Sequence, residues 1–167
     1  SLQVDPVILT EIPQLNKDVF KLIQFSPSVT TSDPMSPQYY VRGSDPGENL
    51  VQMDGMTIYN PQHFMGSSAI FNPYSIKNVE MLVGGFDAEY GGRNASIMNI
   101  STREGHQSEI HGEFRPSISG ISGAIEFPAG KNGTAMVSGR TYTDFMLRVM
   151  MGSPNLVMDY NAAYQVL

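Results

Sequence analysis

Turn-forming residues punctuate this chain so closely that a long helix has almost nowhere to form. Pro27, Pro34 and Pro37, the run Asp45-Pro46-Gly47, and the pairs Asp54-Gly55, Asn72-Pro73, Gly84-Gly85 and Gly91-Gly92 all fall within the first hundred residues. Proline removes a backbone donor and disfavours helix in the residue before it, while glycine supplies the positive φ that tight turns demand. With 16 Gly and 11 Pro among 167 residues, short strands joined by turns are the natural outcome.

Two places still read as helix. Asn16 offers an N-cap with Asp18 in the first turn, and Val19, Leu22 and Ile23 recur at helical spacing before Pro27 stops them. The pattern predicts a short amphipathic helix over residues 17–25. Asn72-Pro73 sets an N-cap ahead of a proline at the first helical position, predicting one or two further turns. Extended segments are predicted at 2–14 (a strand or arm), 39–41, 50–53, 56–59, 80–83 and 95–102, with Asp54-Gly55 as a hairpin turn. The expected fold is α+β: a small mixed β-sheet flanked by two short helices over residues 3–105. Past Gly105 no helical period appears before the tail. Residues 109–115, 119–127 and 134–147 alternate patchily and read as antiparallel β-hairpins, with a boundary near 104–108.

Charge and composition remove several function classes. The net charge is −6, and the ten Lys and Arg are scattered singly, so no basic, aromatic groove for nucleic acid exists in the sequence. Cysteine is absent, which excludes disulfides, thiolate metal sites and thiol nucleophiles. No apolar run reaches the length of a membrane-spanning helix, although the weak alternation of a β-barrel remains open. The chain starts Ser1-Leu2 with neither Met nor a signal peptide, and is expected to be a piece of something longer.

Catalytic and metal motifs are missing. His63, His106 and His111 form no His-x-x-x-His or Glu-x-x-His pair. Gly66-Ser67-Ser68 lacks the second glycine of a nucleophile elbow, and neither glycine pair leads into the Lys-Ser/Thr of a phosphate loop. The Asn-x-Ser/Thr matches at Asn94, Asn99 and Asn132 are short enough to arise by chance. The 11 methionines are dispersed and suit core packing. No enzyme activity, metal or cofactor is expected.

Five ordered elements carry a family resemblance. They are Tyr40-Val-Arg-Gly43; Leu50-Val-Gln-Met-Asp-Gly-Met-Thr-Ile58, within 49–61; Ile76-Lys-Asn-Val-Glu-Met-Leu-Val-Gly-Gly85; Asp87-Ala-Glu-Tyr-Gly-Gly-Arg93; and Asn99-Ile-Ser-Thr-Arg103. In order and spacing they resemble the plug domain of TonB-dependent outer-membrane receptors. The wording around 59–64, 71–73 and 86–93 is similar to the large Bacteroidetes-type members.

The resemblance implies a plug over 3–105 and the first strands of a truncated outer-membrane β-barrel over 106–167. The plug would occlude the lumen of its own barrel, contact a small or oligomeric nutrient ligand, and be displaced by TonB in the periplasm to allow uptake. Outward loops would place Tyr59, Asn60, Gln62, His63, Phe64, Tyr90 and Arg93 against ligand. Arg42 would latch plug to barrel wall, and Gly43, Asp54, Gly55, Gly84, Gly85, Gly91 and Gly92 would build turns. Cut from the rest of a barrel, the strands after 108 are expected to pair with another copy, giving an oligomer without physiological meaning. The rival reading is a free-standing soluble α+β binding or adhesion module, with nothing but a domain of this size to it.

Overall fold

A computed structural model describes residues 2–4, 18–24, 26–31, 38–62, 69–87, 90–117, 120–130, 133–142 and 159–166. The chain divides into two compact units, residues 1–13 with 17–103, and residues 14–16 with 104–167.

The first unit is built on a mixed five-stranded sheet. Its strands are β1 (Leu2–Val4), β4 (Asn49–Met53), β5 (Met56–Thr57), β6 (Ile76–Val83) and β7 (Ser96–Thr102), in the order β1-β6-β7-β4-β5. β4 and β7 run parallel; the other neighbours are antiparallel. The central position of β7 explains its sequence. Met98 and Ile100 enter the main core with Val51, Val79 and Met81 of the flanking strands, while Ile97, beside Leu50, is buried on the opposite face. A strand buried on both faces reads as a near-continuous apolar run. A separate two-stranded ribbon pairs β2 (Val29–Thr30) with β3 (Tyr40–Val41).

Among the described residues there is one α-helix, α1 (Val19–Ile23), which buries Val19, Phe20, Leu22 and Ile23 in the core. Both helical expectations need correction. The helix is shorter than 17–25, and its N-cap is Asp18, whose carboxylate accepts from the Phe20 amide at 2.8 Å. Asn16 lies outside the described residues. That carboxylate also takes the Ala69 amide at 2.7 Å, a contact 51 positions away that no local rule could anticipate.

The second helix does not form. Asn72 does cap with its side chain, accepting from the Tyr74 amide at 3.1 Å, but only a single 3-10 turn follows over Pro73–Ser75. From Ile76 the chain is strand, because Ile76, Val79 and Met81 gain more by joining β6 between β1 and β7 than by turning a helix. Another 3-10 turn, Pro46–Glu48, is capped by Asp45.

The second unit holds an antiparallel sheet in the order β11-β10-β9-β8, from β8 (His111–Ser117), β9 (Gly120–Ala129), β10 (Gly133–Tyr142) and β11 (Asp159–Val166). β11 was not expected from the sequence, and the predicted extension through 143–147 lies outside the described residues. Burial alternates over residues 124–126 of β9 and 136–140 of β10, while Thr134, Ala135 and Met136 are buried in succession. Ile121, Ile125 and Val137 are exposed, while Ala124, Glu126, Met136, Ser138 and Arg140 are buried. At Gly105 the backbone comes so near β10 that a Cβ would sit 2.5 Å from the Ala135 carbonyl oxygen, so only glycine fits there.

Candidate functional site

The first unit opens a cleft of about 200 Å³ where the start of β4, the segment leaving β5 and the loop before β7 converge. Gln38, Tyr39, Asn49, Thr57, Tyr59, Asn60, Gln62 and Arg93 supply its polar lining, over a floor that includes Phe20, Leu50, Val51 and Ile58. Each segment arrives for a local reason. The 3-10 turn at Pro46–Glu48 delivers Asn49, whose Nδ2 donates to the carbonyls of Tyr39 (3.1 Å) and Pro46 (3.2 Å). Asn49 Oδ1 accepts from Ser96 Oγ at 2.7 Å, and the Ala95 amide donates to the Glu48 carbonyl at 3.2 Å, tying the loop that carries Arg93 to this turn. Beyond Asp54-Gly55, the Ile58 amide donates to Val51 O, and the chain then carries Tyr59, Asn60 and Gln62 along the rim.

Among the described residues the lining holds no carboxylate and one formal charge, Arg93. Its Nη1 lies 3.8 Å from where a Cβ of residue 47 would stand, so the guanidinium rests beside Gly47 at the lip. Tyr59 is 85% exposed, an aromatic face in solvent. Large exposed aromatics on a loop suit recognition better than packing.

Tyr39 is the buried polar group of the site. Its ring packs on Phe20 at 5.6 Å, and its hydroxyl has no hydrogen-bond partner of normal geometry. Burial pushes its pKa well above the usual tyrosine value, and the neighbouring Ser96 hydroxyl pulls weakly the other way. A raised folded pKa means the neutral phenol is the form that folding favours. Stability is therefore fully present below the unfolded tyrosine pKa of about 10 and is lost as pH rises beyond it. Tyr39→Phe should remove this alkaline loss while leaving stability near pH 7 almost unchanged, checked by urea unfolding at neutral and alkaline pH.

Four residues expected at ligand from the sequence, Tyr59, Asn60, Gln62 and Arg93, meet in this cleft. Tyr90 does not line it; its hydroxyl accepts from Asn99 Nδ2 of β7 at 3.1 Å. His63 and Phe64 lie outside the described residues. Gln38, Tyr39, Asn49 and Thr57 were missed. The available signal was the Tyr39-Tyr40-Val41 strand entering the Arg42-Gly43 turn, and an asparagine directly after Pro46-Gly47-Glu48.

Gly43, Gly55, Gly84, Gly85 and Gly92 take positive φ, as does Asp54 (φ 49), whereas Gly91 does not. Asp54 also clips the hairpin to β7, its carboxylate accepting from the Thr102 amide (2.9 Å) and hydroxyl (2.7 Å). In the second unit, the His106 and His111 rings stack at 4.6 Å. Among the described residues no three His, Cys, Asp or Glu side chains gather to hold a metal.

Comparison with known proteins agrees with this architecture. The family model of the TonB-dependent Receptor Plug Domain matches residues 10–96, just over half of the chain. No curated protein matches the chain in sequence. Among solved structures, the siderophore receptor PirA from Pseudomonas aeruginosa is similar at a TM-score of 0.66 and 18% identity, over 99% of this chain and 31% of that one. A variant of the ferric enterobactin receptor PfeA from the same organism, in complex with enterobactin, gives 0.60 and 18%, over 83% of this chain and 24% of that one. The chain thus spans less than a third of either receptor, and at this identity the likeness is one of fold. By its sequence match and its mixed plug-like sheet, the chain belongs to the plug domains of TonB-dependent receptors, a family of outer-membrane transporters rather than enzymes.

Proposed function

We propose that the first unit gates an outer-membrane transporter. It occludes the barrel, binds part of an extracellular ligand in the cleft, and is displaced by TonB to allow uptake. On this reading residues 106–167 are the opening barrel strands, and Arg42 is the cation that latches plug to barrel wall. The exposed apolar side chains Ile121, Ile125 and Val137, opposite Ser138 and Arg140, support the barrel assignment, since spanning strands alternate apolar-out and polar-in. They count against a free-standing soluble module, which would cover such a face.

The observation that carries the ligand reading is the convergence of Tyr59, Asn60, Gln62 and Arg93 from separate segments on one cleft. At about 200 Å³ the cleft is smaller than an ordinary small-molecule pocket of roughly 300–1,000 Å³, so it takes one end of a ligand, not the whole. The amides, hydroxyls and one guanidinium among the described lining residues suit an oxygen-rich, anionic end group.

The test is binding to the full-length receptor, with ferric enterobactin as the anionic probe and cyanocobalamin and maltoheptaose as neutral ones. Whichever binds, Arg93→Ala should weaken an anionic ligand about 10- to 100-fold, the worth of one charge-assisted hydrogen bond. Affinity indifferent to Arg93→Ala, Tyr59→Ala and Gln62→Ala would remove the cleft from the ligand path.

A further inference from the structure

Arg42 is held in an unusual way. It directly follows β3 with φ at 51, a left-handed backbone that a long side chain adopts only when its surroundings insist. Its amide donates to Ser28 O at 3.2 Å, and Ser44 closes the turn by donating from both amide (3.0 Å) and hydroxyl (2.6 Å) to Val41 O. The backbone of residue 42 is thus fixed. The side chain, by contrast, makes no hydrogen bond or ion pair among the described residues, although an arginine head offers five donors.

What meets the guanidinium is a glycine. Where β6 ends, Gly84 and Gly85 both take φ +68. A Cβ on residue 84 would stand 3.0 Å from Arg42 Nη1 and 3.9 Å from Cζ; a Cβ on residue 85 would meet nothing within 4 Å. The Arg42 head therefore lies across the bare Cα of Gly84. An exposed arginine without partners loses rotamer freedom when it is fixed, so a seat that narrows its choices beforehand favours any anion it later meets.

We propose that Gly84 is a positioning residue for Arg42. Its missing side chain forms the seat that aims the guanidinium at an anionic partner, in place of the intramolecular salt bridge that would otherwise fix it. The seat rests on the latch reading only for the identity of that partner, a carboxylate of the barrel wall. The contact itself stands without it.

The two glycines make a matched pair, with the same φ and different surroundings. In the full-length receptor reconstituted in vesicles, Gly84→Ala and Gly85→Ala both suffer the strain of a left-handed alanine. Only Gly84→Ala also meets the Arg42 guanidinium, which must shift from its position over residue 84 to make room. Protease cleavage of the plug should be several-fold faster in Gly84→Ala than in Gly85→Ala, and the two should become equal once Arg42→Ala is added to each. Equal rates with Arg42 present, or a difference that survives Arg42→Ala, would overturn the seat. If Gly84→Ala fails to assemble, adding Arg42→Ala must restore assembly to the level of Gly85→Ala, and persistent failure overturns the proposal equally. Leak of a small solute through the same vesicles reads the latch separately. Should Arg42→Ala leave leak unchanged while the cleavage difference depends on Arg42, the latch falls and the seat stands.

Discussion

Phe20→Ala is expected to destabilise the first unit by about 3–5 kcal/mol, the usual cost of emptying a buried aromatic site. Phe20 is fully buried and is the ring on which the unit turns. It stands 5.6 Å from Tyr39 in tilted contact and 5.9 Å from Phe71 edge-on, joining α1, the strand that enters the Arg42 turn, and the segment before β6. Edge-on aromatic pairs are worth about 0.5–1.5 kcal/mol beyond the area they bury, so the loss exceeds that of an aliphatic truncation. Phe20 also lines the cleft floor, and so the same change should loosen the ligand site. Urea unfolding followed by tyrosine fluorescence would measure it. A cost under about 1 kcal/mol, the range of surface substitutions, would mean that the helix is not packed as described.

Asp18→Ala should have the next largest effect, about 3 kcal/mol. One buried carboxylate serves two amides from distant parts of the chain, Phe20 at 2.8 Å and Ala69 at 2.7 Å. Hydrogen bonds to a charged acceptor contribute about 1.5–3 kcal/mol each, and removing the acceptor strands both donors away from water. Asp18→Asn should rescue only partly. Its amide oxygen can accept from one N–H, but its NH₂ then faces the other donor. Native-state hydrogen exchange gives the sharpest readout, with the Ala69 amide losing about a hundredfold in protection in Asp18→Ala. Unchanged protection at Ala69 would show that the tie between helix and loop is not formed.

These two residues mark the border between what was legible in the sequence and what was not. Gly-Pro punctuation, the Asp54-Gly55 hairpin and the apolar run of β7 fixed the strand-and-turn character, because turn geometry and two-residue alternation are local properties. The helix at Val19–Ile23 was visible from its spacing; its cap was not, since Asp18 is held by Ala69 as firmly as by its own helix. Local signals also misled at Asn72-Pro73. The cap and the proline were real, yet strand pairing on both sides of Ile76–Val83 outweighed the start they offered.

The candidate site divides the same way. The sequence by itself determined that Tyr59, Asn60, Gln62 and Arg93 lie on turn-rich segments between strands, where polar and aromatic groups can face a ligand. Only the tertiary structure decided that Arg93 meets the other three, because the parallel pairing of β4 with β7 brings residues 46–49 beside 93–96. It likewise set Tyr90 against Asn99 instead of the cleft and laid Arg42 on Gly84, across a separation of more than forty positions. Pairing between strands far apart in sequence is a non-local event, set by which apolar faces bury together, and no short-range pattern of residues encodes it.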